Sequence, residues 1–188
     1  MVQSIWAITG RPGSGKSKSI NYIVNSLSKE GYKLGGFLQR NIKENGKMTG
    51  YQIIDISTGK TGILASINIK LGPRVGRYRI NLSDLSSVGV TAIESARKHS
   101  DIIICDEIGP MELYSSDFCK SIETIVNSNK PFICSIQSKF KHPIINKIMN
   151  LSNSKTINLT RENRNDIKKS LLIEIINNLD DEIEHNRD

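Results

Sequence analysis

The chain has 188 residues, 37% hydrophobic and 24% charged, with three cysteines and a formal net charge of +7. That length suits one α/β unit burying about 70% of its unfolded surface, so neither a disulfide framework nor a structural metal is required. No apolar run approaches the ~18 residues of a membrane span, no leader pattern precedes the first strand, and Cys105, Cys119 and Cys134 lack metal-ligand spacing, which together predict reduced thiols and a cytoplasmic location.

Ile5 to Thr9 is a short apolar run suited to a buried parallel strand. It leads into Gly10, Arg11, Pro12, Gly13, Ser14, Gly15, Lys16 and Ser17, a complete G-x-x-x-x-G-K-[ST] string. In such a loop the glycines bring backbone N–H groups close to a polyphosphate without Cβ clashes. Lys16 supplies a point charge for the β and γ phosphates, and the Ser17 hydroxyl suits Mg²⁺. A helix opens at Lys16, its N-terminal dipole favouring an anion, and Ile20, Ile23, Val24 and Leu27 mark its apolar face up to Gly31.

Lys33 to Leu38 is predicted to be a strand, Asn45-Gly46 a turn, and Tyr51 to Ile56, Gly62 to Ala65 and Arg77 to Leu82 further strands. We expect an antiparallel, hairpin-rich insertion over about 39–82. Residues 31–80 also carry the basic excess: Lys33, Arg40, Lys43, Lys47, Lys60, Lys70, Arg74, Arg77 and Arg79 face only Glu44 and Asp55. Such a field attracts nucleotide or simply keeps a lysine-rich set of hairpins solvated, and the alternative reading is a nucleic-acid surface.

Ser83 is predicted to cap a helix over Leu85 to His99, followed by the strand Ile102, Ile103, Ile104 and Cys105, which ends in Asp106 and Glu107. This reads as a Walker B strand: Asp106 would hold a water on the Mg²⁺ that Ser17 ligates, and Glu107 would polarise the attacking water. Phe118, Ile122, Ile125 and Val126 predict a helix ending near Asn129, and Pro131 to Ile136 a buried strand. Pro143 opens a short helix, Thr156 to Leu159 forms a last strand, and Thr160 caps a closing helix bearing Ile167, Leu171, Ile175 and Ile176. One domain over 1–179 and a charged tail over 180–188 complete the reading. The alternation predicts a mostly parallel, doubly wound sheet with its phosphate site at the carboxyl ends of the strands. Arg11, Arg77 and Arg164 are candidates for stabilising transition-state charge, with Arg164 preferred, and Gln137 and His142 are candidates for nucleotide contact.

Three stretches are recognisable together: Thr9 to Ser17, Cys105-Asp106-Glu107-Ile108-Gly109-Pro110-Met111-Glu112-Leu113, and Leu159-Thr160-Arg161-Glu162-Asn163-Arg164. They resemble the THEP1-type nucleoside triphosphatase family, a likeness that covers nearly the whole chain. The resemblance implies a RecA-like P-loop fold of the additional-strand, catalytic-glutamate kind. It also implies Mg²⁺-dependent hydrolysis of ATP, GTP and other nucleoside triphosphates, with broad base acceptance and slow turnover. Lys16 and Ser17 match the phosphate and Mg²⁺ positions, Asp106 the Walker B carboxylate and Glu107 the water-activating one. The nucleotide-binding set is then Gly10 to Ser17 with Ile102 to Gly109. One departure is Gln137-Ser138, where the family commonly has His-Arg, although His142-Pro143 matches. A monomer is expected. The alternatives are a P-loop kinase, against which the lack of an Arg-rich lid counts, and a nucleotide-gated module that binds RNA or protein.

Overall fold

The computed structural model describes residues 4–128 and 130–185. The chain runs β1 (Ile5–Gly10), α1 (Lys16–Lys29), β2 (Leu34–Glu44), β3 (Lys47–Asp55), β4 (Thr61–Ser66), β5 (Arg74–Val75) and β6 (Tyr78–Ile80). A helical stretch follows, made of a first turn α2 (Leu82–Asp84), a π-helical segment (Leu85–Val90) and α3 (Thr91–His99). Then come β7 (Ile102–Ile108), a 3₁₀ turn (Glu112–Tyr114), α4 (Ser116–Val126), β8 (Phe132–Gln137), α5 (Pro143–Asn150), β9 (Ser154–Asn158) and α6 (Arg164–His185).

Local chemistry explains most boundaries. Asn45 and Gly46 take φ values of 50° and 74°, the paired positive angles that a tight hairpin between β2 and β3 needs. The stretch from Leu82 is capped by Asn81, whose side-chain oxygen accepts the Asp84 N–H at 3.1 Å, rather than by Ser83. His142 caps α5, its Nδ1 accepting the Ile144 N–H, with Pro143 in the first turn. Thr160 and Asn163 bond reciprocally, side chain to backbone N–H, and the helix itself starts at Arg164. The expected end of α4 near Asn129 lies outside the described residues; the helix stops at Val126. The closing helix runs to His185, into the stretch expected as a tail, and residues 186–188 lie outside those described.

The strands form one sheet in the order β5-β6-β4-β3-β2-β7-β8-β1-β9. From β2 to β9 every pairing is parallel, and from β2 to β5 every pairing is antiparallel. The sheet is therefore mixed, and the hairpins extend it instead of standing apart from it. Strand alternation divides the core between its faces. Ile5, Ala7, Phe37, Ile103, Phe132 and Cys134 pack toward α3, α4 and α5. Trp6, Ile8, Ile102, Ile104 and Ile133 pack toward α1 and α6. With helices on both faces of its parallel half, the sheet presents the carboxyl ends of β1, β7 and β8 side by side, the position where doubly wound sheets bind ligands.

Candidate active site

The loop between β1 and α1 has a backbone that suits an anion. Gly15, at φ 110°, precedes α1, and the helix start has no side-chain cap, so its first N–H groups are left for a ligand. A Cβ on Gly10 would stand 2.5 Å from the Leu159 carbonyl oxygen and 2.6 Å from Ser14 Oγ, so no larger residue fits there. Ser14 Oγ is itself buried without a hydrogen-bond partner. Lys16 is 7% exposed; its Nζ donates to the Gly10 carbonyl at 3.3 Å and lies 3.2 Å from Glu107 Oε2.

Strict alternation along β7 would send Asp106 and Glu107 to opposite faces of the sheet. A bulge prevents this. Cys105 pairs with Cys134 and Ile108 with Ile136, so Asp106 and Glu107 together oppose Ser135 alone. Asp106 is fully buried and accepts the Ser135 hydroxyl at 2.5 Å, while Glu107, 24% exposed, faces Lys16. Burial pushes the Asp106 carboxyl up to about 6, against the pull of the Ser135 and Ser17 hydroxyls. Its Oδ2 has no hydrogen-bond partner. A buried, unpartnered carboxylate oxygen beside a serine hydroxyl fits a hard cation that keeps most of its shell as water and phosphate oxygen. Among the described residues no cluster of three His, Cys, Asp or Glu side chains forms a protein cage for a metal.

These groups open onto a cleft of about 790 Å³. Pro12, Gly13, Gly15, Lys16, Ser17, Glu107, Gln137 and Arg164 all line it. Arg164 lies against the loop, its Cδ 3.1 Å from where a Gly15 Cβ would stand. The remaining candidates fall elsewhere. Ile102, Ile103, Ile104, Cys105 and Ile108 are fully buried in the sheet, where they hold Asp106 and Glu107 in place. Arg11 is exposed, and Arg77 donates to the Met48 carbonyl at 2.8 Å and the Tyr78 hydroxyl at 2.9 Å, on the hairpins. His142 is occupied as the cap of α5.

Several residues of the site carry no obvious sequence signal. Arg40, Asn41 and Tyr51 reach the cleft from β2 and β3 because these strands extend past the end of β7. Gln39 and Glu112 also line it. Gln39 Nε2 donates to Glu112 Oε1 at 2.6 Å and to the Glu107 carbonyl at 3.4 Å, and Glu112 Oε2 accepts the Gly109 N–H at 2.9 Å. Burial, with Glu107 close by, pushes the Glu112 carboxyl up to about 8. Glu112 stands within the run that extends beyond any Walker B requirement, and that excess length was its only trace in the sequence.

Comparison with known proteins gives a consistent picture. The sequence model of a family described as NTPase matches residues 6–172. The chain is 40% identical over 139 residues to nucleoside-triphosphatase THEP1 of Methanosarcina acetivorans, covering 73% of this chain and 78% of that protein. It is 40% identical over 165 residues to the THEP1 nucleoside-triphosphatase of Thermotoga maritima, covering 88% and 91%. The crystal structure of THEP1 from Aquifex aeolicus superposes with a TM-score of 0.80 at 30% identity, over 89% of this chain and 96% of that one. The solution structure of a human cancer-related nucleoside triphosphatase shares the fold, with a TM-score of 0.77 at 24% identity over 90% and 96% of the two chains.

Proposed function

Since the chain belongs to the NTPase family whose model spans residues 6–172, we propose that it hydrolyses nucleoside triphosphates to the diphosphate and phosphate by direct attack of water, with Glu107 as the general base. The observation that carries this reading is the bulge on β7, which brings Glu107 to within 3.2 Å of Lys16 while Asp106 stays buried behind it. The names of the relatives favour hydrolysis over transfer to an acceptor.

The triphosphate binds along Gly10 to Ser17, its charge met by the uncapped start of α1 and by Lys16. Glu107 faces the same space, so one carboxylate oxygen takes the proton of a water aligned on the γ-phosphate. Arg164, lying against Gly15, stabilises the charge that accumulates on the phosphate oxygens. Ser17 and Asp106 would hold Mg²⁺, whose chemistry there is to neutralise phosphate charge. The free thiols of Cys105, Cys119 and Cys134 support a reducing, cytoplasmic setting.

Phosphate release measured with ATP, GTP, CTP and UTP tests the activity and the breadth of base acceptance. Glu107→Gln should lower kcat by about 10² to 10⁴ while leaving the binding of a fluorescent nucleotide intact. Unchanged turnover in that variant would remove Glu107 from the mechanism.

A further inference from the structure

Glu112 is 2% exposed, and neither phosphate binding nor the bulged carboxylate pair accounts for it. A buried carboxylate is costly unless its oxygens are matched by donors. Here both are, and the donors come from two different elements. Gln39, on β2, donates to Oε1 at 2.6 Å, and the backbone of Gly109, just past β7, donates to Oε2 at 2.9 Å. The same Gln39 amide reaches the Glu107 carbonyl at 3.4 Å. A Cβ on Gly109 would stand 3.2 Å from Glu107 Oε1 and 3.3 Å from Glu112 Oε2, so both carboxyl groups close in on one glycine.

We propose that Glu112 and Gln39 form a clamp that positions Glu107 to take the proton of the attacking water, making them positioning residues of the hydrolytic reaction. This rests on the reading of Glu107 as the base. On the β2 side the pairing of β7 stops at Cys105, and on the β8 side it resumes after the bulge only at Ile108, so the peptides around Glu107 have little ladder to hold them. The clamp replaces that support, fixing the segment at its carbonyl through Gln39 and at its N–H through Glu112. Glu112 owes its place to the 3₁₀ turn Glu112–Tyr114, which folds back so that the Leu113 N–H donates to the Gly109 carbonyl at 3.0 Å. Gly109 is thus bonded through both its N–H and its carbonyl, and a larger residue would meet both carboxyl groups. Neither clamp residue belongs to the phosphate loop, so loosening them should change the chemical step and leave nucleotide affinity alone.

Two variants remove the clamp from opposite ends. Glu112→Gln turns an NH₂ group against the Gly109 N–H, and Gln39→Met removes both donated bonds at similar volume. Each should lower kcat about ten- to a hundred-fold, the scale on which displacing a reacting group by an ångström acts, with KM for ATP unchanged. In a Glu107→Gln background, single-turnover rates with γ-labelled ATP should show no further loss, because residues acting through one group are not additive. Losses that multiply in that background, or a rise in KM with kcat kept, would overturn the proposal in favour of a purely structural role. Full turnover in both clamp variants beside an inactive Glu107→Gln removes the positioning role alone. Full turnover in Glu107→Gln removes the base, and the clamp's function with it. If Glu112→Gln fails to fold, Gln39→Met carries the test.

Discussion

Asp106 and Glu112 are both buried acids within a few residues of each other, yet their surroundings assign them different tasks. Asp106 keeps one oxygen without a hydrogen-bond partner, whereas both oxygens of Glu112 are matched by N–H donors. The difference has a consequence for stability. Glu112 titrates at about 8 in the fold against an ordinary value of 4.5, so the folded state holds its proton more tightly than the unfolded chain. Its contribution is fully present below pH 4.5 and is lost as pH rises to about 8; that of Asp106, raised from 3.8 to about 6, is lost over a lower window. Urea melts of the parent and Glu112→Gln between pH 5 and 8.5, in EDTA, should therefore show the parent losing stability steeply and the variant much less. Parallel curves would mean that Glu112 carries no such burden.

Individual elements show what a local pattern reveals and what it hides. The phosphate loop, its flanking strand and helix, and the acidic end of β7 were all legible, because each is a contiguous string whose chemistry is set by neighbours in sequence. The helix start after β6 was not. Ser83 and Asn81 both suit a cap, and only the fold selects Asn81, whose own N–H is also bonded to the Leu64 carbonyl. Asn81→Ala should cost about 1 kcal/mol and lower Tm by about 2–4 °C, read by thermal unfolding, while Ser83→Ala should leave Tm nearly unchanged. β2 exceeded its predicted end at Leu38 for a similar reason. Gln39-Arg40-Asn41 has no apolar alternation, and these residues stay extended because β3 pairs with them. The clamp was invisible in sequence, since Gln39 and Glu112 are 73 residues apart and meet only once β2 and β7 are neighbours.

At the scale of the whole molecule, one strand joins two kinds of sheet. β2 pairs in parallel with β7 through Leu34 to Phe37 and antiparallel with β3 through Phe37 to Glu44. The hairpins that carry the basic side chains therefore share a hydrogen-bonded ladder with the strands whose ends border the cleft. Ile53, Leu64, Ala65 and Ile80 of the hairpins pack in the same core cluster as Ile103 and Phe132. Such sharing predicts one cooperative transition: calorimetric and van't Hoff enthalpies should agree, and early melting of the hairpins alone would contradict it. The bulge on β7 has its own implication, concerning length instead of composition. Cys105 and Ile108 face the same half of the core although three positions separate them, so β7 uses one residue more than β8 to cover the same distance. The site is in this sense a matter of parity. Shortening β7 by a single residue would leave every side-chain type available and return Asp106 and Glu107 to opposite sides of the sheet.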